Sequence, residues 1–291
     1  MKKIFILLAW AISVTAVAQQ PPGTEIYLFD LVVKKKSVEL VNPKNVTNRT
    51  GYDNQPHFHP EKPLLYFSSA DETGRTDIMV YNYETGETKK FTNTSEREYS
   101  PTVTPDGKFI SCIIQRDNGA QDLGKYPIDG GEPVIIVDNL TVGYHAWIND
   151  DALVLFALGR PNTLRLYSIS EKKDQELTSN IGRSLHSISG TNDISFIDKQ
   201  GAEWLIKKYN HTTGSIETIA PTLPNREDIA WTADGKILMS DGADLYFLKP
   251  GKDSLWKRMV MPTGMEISGI TRLAINASSS MIAVVVDEVK N

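Results

Sequence analysis

Short apolar runs separated by turn residues fill the chain from residue 24 onward, and no stretch of it sustains a helical period. The clearest unit is Ser100-Pro101-Thr102-Val103-Thr104-Pro105-Asp106-Gly107-Lys108-Phe109-Ile110-Ser111-Cys112. It reads as a short strand, a Pro-Asp-Gly turn and a second apolar strand. Asp-Gly between two apolar runs is a strong hairpin signal, because only a few residues tolerate the positive φ such turns require. Weaker copies recur. Aligned on the last apolar residue of the first strand, the anchors are Phe58, Val103, Trp147, Ile188, Trp231 and Ile275, about 41 to 45 residues apart. That is the period of a four-stranded propeller blade.

Each anchor precedes a second strand: Leu64 to Ser68, Phe109 to Ile114, Leu153 to Ala157, Ile194 to Ile197, Ile237 to Ser240, and Met281 to Val286. Third strands are predicted at Ile78 to Tyr81, Leu123 to Tyr126, Leu164 to Tyr167, Trp204 to Lys207 and Leu245 to Leu248. In most copies an acid stands just before them (Asp77, Asp122, Glu203, Asp244) and is expected to cap a loop amide or fix a contact between blades. Fourth strands such as Thr88 to Phe91 and Ser215 to Ile219 are polar, as outer edges tend to be.

The sixth unit supplies only a first and second strand before the chain ends, while Glu25 to Asp30 and Val38 to Val41 have the pattern of a third and fourth. Joining them closes a ring and covers two sheet edges that would otherwise stay open. The expected fold is all-β: a six-bladed β-propeller closed by pairing the N-terminal strands with the C-terminal strands in the last blade. The expected domain spans 24–290, with blades at 52–95, 97–139, 142–180, 182–222, 225–262, and 266–290 plus 24–48. Lys34-Lys35-Lys36 then falls in a hairpin turn.

Composition changes this picture little. The 291 residues are 40% hydrophobic with a net charge of -5, and no Lys/Arg run is long enough for a phosphate-binding surface, so nucleic acid is excluded as an expected partner. Residues 1–18 read as a signal peptide: Lys2 and Lys3, an apolar run from Ile4 to Val14, then Ala16-Val17-Ala18 as an A-x-A cleavage signal. That run is short of the ~20 residues a bilayer span needs, so the mature chain is expected to be exported without a transmembrane segment. The single cysteine, Cys112, allows no internal disulfide and reads as a small buried hydrophobe.

The segment Pro101 to Ile110 resembles the WD40-like repeat of TolB-type periplasmic propellers, together with the acidic-Ile/Leu-aromatic openings Asp77-Ile78 to Tyr81 and Glu25-Ile26-Tyr27. Further copies are Pro56-His57-Phe58-His59-Pro60-Glu61 and Trp231-Thr232-Ala233-Asp234-Gly235-Lys236; the units at Trp147, Ile188 and Ile275 lack the proline. The resemblance implies a six-bladed propeller that is non-catalytic and binds protein partners at the cell envelope. Related repeats gate prolyl oligopeptidase-type peptidases, but no α/β-hydrolase domain follows the propeller here. Fold resemblance does not assign function by itself.

In a propeller the innermost strands line a channel, and the loops entering them form a mouth where ligands commonly sit. The entering segments here are rich in Tyr, Arg and His, and aromatics and Arg are enriched at binding hot spots. The candidate partner-binding residues are Asn54, His57, Tyr99, Tyr144, His145, Arg183, His186, Arg226, Asp228 and Arg272. The competing reading is that they satisfy strand ends and channel water. Inward His57, His145 and His186, with His59 placed by alternation on the face of His57, could hold a transition metal. Channel-lining histidines are more often hydrogen-bonded or solvated, so no metal and no cofactor is assigned. Ser170-Glu171-Lys172-Lys173 matches S-x-x-K but sits on a turn, without the context that chemistry needs. There is no G-x-S-x-G, P-loop or dinucleotide fingerprint.

The sequence therefore points to an exported binding or scaffold propeller, periplasmic or secreted, with a peripheral place at the outer membrane left open. It is expected to be monomeric and to contact an envelope protein or peptidoglycan-associated partner through the channel mouth. Two alternatives stay open: a metal- or His-dependent enzyme acting on a glycan or peptide, and a small-ligand sensor using the channel.

Overall fold

The computed structural model describes residues 22–288. Residues 1–18, expected to be a signal peptide, lie outside the described residues. The strands in chain order are β1 (Thr24–Val33), β2 (Val38–Asn45), β3 (Asp53–Phe58), β4 (Leu64–Ala70), β5 (Thr76–Asn82), β6 (Thr88–Lys90), β7 (Arg97–Val103), β8 (Phe109–Gln115), β9 (Gln121–Pro127), β10 (Val134–Val137), β11 (Val142–Trp147) and β12 (Ala152–Ala157). They continue as β13 (Thr163–Ser168), β14 (Lys173–Ser179), β15 (His186–Ser187), β16 (Asp193–Asp198), β17 (Leu205–Asn210), β18 (Ile216–Pro221), β19 (Ile229–Trp231), β20 (Ile237–Ser240), β21 (Leu245–Leu248), β22 (Lys257–Arg258), β23 (Arg272–Ile275) and β24 (Met281–Asp287). They form six antiparallel four-stranded sheets, the blades of a propeller. Among the described residues there is no helix, hence none long and apolar enough to cross a membrane.

Blades 1 to 5 run outward from β3, β7, β11, β15 and β19. Blade 6 has the order β2-β1-β24-β23, with Ile26 opposite Val285 and Tyr27 opposite Val284. The two ends of the propeller are thus zipped in one sheet. Glu288 adds a latch by accepting the Gly51 N–H at 3.1 Å.

Six apolar clusters fill the six gaps between neighbouring blades, which explains the uninterrupted apolar runs of the second strands. A strand sandwiched between two sheets is buried on both faces, so alternation disappears. In β24, Ile282, Val284 and Val286 pack toward blade 5, while Ala283 and Val285 pack toward blade 1. In β8, Ile110, Cys112 and Ile114 face blade 1 and Ile113 faces blade 3. Cys112 is fully buried, and burial pushes its thiol well above the usual range, so it packs as an inert side chain.

The polar interruption in β8 has a partner: Ser111 Oγ accepts the Trp147 Nε1–H from blade 3 at 2.9 Å. The same staple joins blades 4 and 5, where Ser195 Oγ accepts from Trp231 Nε1 at 2.8 Å. The Asp-Gly turns repeat as well. Gly107 N–H donates to Thr104 C=O and Gly235 N–H to Thr232 C=O, both glycines at positive φ.

Five of the six anchors end an inner strand; Ile188 lies one residue beyond β15, which holds only two residues. Three of the acids at the third strands pair within their own blade. Asp77 pairs with Lys90 at 2.7 Å and Asp244 pairs with Arg258, each on the outer strand of its own blade. Asp122 takes Arg116 from the adjoining loop at 3.0 Å.

Candidate functional site

The inner strands β3, β7, β11, β15, β19 and β23 surround a central cavity of about 620 Å³, within the range of ligand-sized pockets. We call the end where these strands begin the upper mouth. In β3 and β7 the approach is bent by bulges at Gln55 and Ser100, both at positive φ and both followed by proline. Gln55 Oε1 accepts from the Ser100 N–H at 2.8 Å and from Ser68 Oγ at 2.9 Å, tying blade 1 to blade 2.

Side chains from four blades meet at the upper mouth. Asp228 accepts from Arg183 Nη2 at 2.8 Å and from Arg272 Nη1 at 2.6 Å. Arg272 Nη2 donates to Tyr144 Oη at 2.9 Å, and the guanidinium carbon stands 5.4 Å from that ring's centre. Arg272 starts blade 6 and Tyr144 lies in blade 3, which stand opposite in a ring of six, so this bond crosses the channel. Glu227 receives the Arg183 backbone N–H at 3.0 Å and Lys199 Nζ at 2.8 Å. Burial pulls the Arg183 pKa down, but Asp228 and Glu227 more than offset it, and the net shift is upward. Tyr52 stands half-buried beside the same group; desolvation, with Tyr144 next, raises its pKa and keeps its hydroxyl protonated.

Below this layer stand three histidines. Burial, then repulsion from His186 and His59, lowers the His57 pKa from 6.5 to about 4. His145 falls to about 3 and His186 to about 4, burial being the main cause in both. All three are neutral at pH 7. Ser111 Oγ, which accepts from Trp147, lies 3.0 Å from Thr102 C=O and 2.7 Å from His145 Nε2. The other ring nitrogen of His145, Nδ1, is buried without a partner. Ser184 Oγ accepts the Ile229 N–H and hydrogen-bonds His186 Nε2 at 2.9 Å. Toward the lower mouth the lining turns apolar, with Phe58, Trp147, Ile148, Trp231 and Ile275.

Seven of the ten residues singled out in the sequence line this cavity: His57, Tyr144, His145, Arg183, His186, Asp228 and Arg272. Three do not. Asn54 is buried in blade 1, donating to Thr24 Oγ1 at 3.3 Å and accepting the Gln55 N–H, because the bulge turns it outward. Tyr99 packs into the cluster between blades 2 and 3. Arg226 borders a smaller adjoining cavity of about 120 Å³, which shares Arg183, Asp228 and Arg272 with the central one. His59 also leaves the axis: β3 has ended, and His59 Nδ1 accepts the Glu61 and Lys62 N–H groups in the following turn. Among the described residues no three His, Cys, Asp or Glu side chains converge to hold a metal. Sequence reasoning missed Ser100, Ser184 and the Trp–Ser staples. The staples had a readable signal, since Ser111 precedes Trp147 and Ser195 precedes Trp231 by the same 36 residues.

The arrangement defines a six-bladed propeller with a polar-capped central channel. No protein-family model matches the chain, and no curated protein matches it. Solved structures do. A TolB-type protein from Agrobacterium tumefaciens superimposes with a TM-score of 0.71 at 11% identity, over 93% of this chain and 100% of that one. TolB from Acinetobacter baumannii gives 0.60 at 13% identity over 91% of this chain and 64% of its own. An oligogalacturonate lyase in complex with manganese gives 0.59 at 12% identity, over 87% and 83%. The chain thus has the TolB-like propeller fold.

Proposed function

We propose that this protein is an exported, monomeric, non-catalytic binding propeller of the cell envelope that receives a protein or peptidoglycan-associated partner at the upper channel mouth. One observation carries the reading: Tyr144, Arg183, Asp228 and Arg272, from four different blades, meet over a ligand-sized cavity. Tyr144 and Arg272 stand on the inner strands β11 and β23, Arg183 and Asp228 on the segments that lead into β15 and β19, and Tyr and Arg are among the side chains that most often anchor interfaces. The TolB-like fold is consistent with this role and does not establish it.

The three channel histidines and the manganese-bound lyase among the structural neighbours support a second reading, an enzyme acting on a glycan or peptide. Their depressed basicity favours hydrogen bonding over acid–base work near pH 7, where a catalytic group needs a pKa close to the operating pH. An envelope pull-down followed by mass spectrometry, run with the wild type and with Arg272→Gln, separates the readings. A partner retained by the wild type and lost by the variant supports the binding propeller. Turnover of a polysaccharide or peptide library with no retained partner refutes it.

A further inference from the structure

The charges around the cavity do not cancel. The charged side chains lining the cavity are Arg183 and Arg272 against Asp228, while Glu227 behind them is paired with Lys199, and the histidines below are neutral. One positive charge is left over in a partly enclosed site, where an uncompensated charge is costly. The donors are also under-used. Among the described residues, Arg183 Nη1, Arg272 Nε and the Tyr144 hydroxyl hydrogen have no protein acceptor. Ser100 Oγ, on the same lining, is buried with no partner. Guanidinium side chains remain reachable, with side-chain exposures of 35% for Arg183 and 15% for Arg272. Below them the wall passes from neutral hydrogen-bonding groups to tryptophan and isoleucine.

Resting on the reading of the channel as a binding site, we infer that it takes a ligand with one carboxylate and a largely apolar body. The carboxylate sits against Arg183 and Arg272; the body reaches down toward Trp147 and Trp231. A guanidinium pair suits a carboxylate because it offers parallel N–H donors. The single excess charge matches a monoanion rather than a phosphate dianion. Two sources share this chemistry: a small organic acid, and the free C-terminus of a polypeptide.

The test is calorimetric titration of the mature chain with hippurate and with its neutral amide, and with the tetrapeptide Ala-Ala-Ala-Phe as free acid and as amide. The wild type binds each acid about tenfold or more tightly than its amide, about 1.4 kcal/mol. Arg272→Gln shrinks that gap to about threefold or less. Asp228→Asn, which removes the competing carboxylate, widens it. Added salt weakens the acids and spares the amides. Tighter binding of the tetrapeptide acid than of hippurate identifies a chain terminus, and the reverse a small acid. Melting curves check that both variants fold; should Arg272→Gln fail to fold, Asp228→Asn and the salt series decide. Equal binding of acid and amide overturns the carboxylate and leaves the channel as a ligand site. Weaker acid binding in Asp228→Asn, or no binding by any of the four probes, also overturns the inference. The pull-down then tests the partner reading on its own.

Discussion

Acidification should loosen the propeller well above the range in which carboxylates titrate, and His145 allows the size of the effect to be worked out. Its folded pKa of about 3 lies below the ordinary 6.5 because its ring is buried. The folded state therefore refuses a proton that the unfolded chain accepts. Stability is complete above pH 6.5 and falls as the pH drops from there toward the folded value. At pH 5 the unfolded ring is about one and a half pH units below its pKa, and each unit is worth about 1.4 kcal/mol, so His145 alone costs about 2 kcal/mol. His57 and His186 act in the same direction, less fully, because they are only half-buried where they line the cavity. The buried acids Asp53 and Glu98 oppose the trend, since burial raises their pKa and favours the protonated folded form. The comparison that isolates His145 is urea unfolding at pH 7.5 and pH 5 for the wild type and His145→Gln. Glutamine keeps an N–H for Ser111 and has nothing to titrate. The wild type should lose about 2 kcal/mol more than the variant between the two pH values. Equal losses would refute the burial argument.

Further outcomes follow from the packing. Phe29→Ala empties a fully buried position between blades 5 and 6, and should cost about 3–5 kcal/mol in denaturant unfolding. Trp231→Phe leaves Ser195 without its inter-blade donor and should cost about 1–3 kcal/mol; a double-mutant cycle with Ser195→Ala should show coupling between the two sites. Lys90→Ala, which removes a half-exposed ion pair with Asp77, should change stability by less than about 1 kcal/mol.

The fold was legible because each blade repeats the same strand–turn–strand grammar. Val103, Trp147 and Trp231 mark the ends of inner strands, and Glu25 to Asp30 carries the third-strand pattern away from its blade. Blade 4 departs most from the pattern: its unit lacks the proline, β15 is only His186–Ser187, and the anchor Ile188 falls outside the strand. The site was legible in part. Tyr144, Arg183, Asp228 and Arg272 could be ranked by type, but the bond between Tyr144 and Arg272 joins residues 128 apart across the ring, and nothing in local pattern encodes it. Asn54 and Tyr99 stand beside the bulges at Gln55 and Ser100 and lie off the cavity. A residue before proline normally avoids the α regions, so a positive φ there is not an expectation that pattern supplies.

Every assignment at the channel depends on blade 6 being shared by the two ends of the propeller. Asp30 and Met281 are paired across that seam, one exposed and the other half-buried. The most direct measurement is the melting of Asp30→Cys/Met281→Cys under oxidising and reducing conditions. Paired strands predict spontaneous cross-linking, since bridged Cα atoms must lie within about 7 Å. Closing a loop of about 250 residues would then stabilise the oxidised form by up to about 5 kcal/mol. Two thiols that stay free, or a bridge that leaves the melting temperature unchanged, would contradict the closed ring.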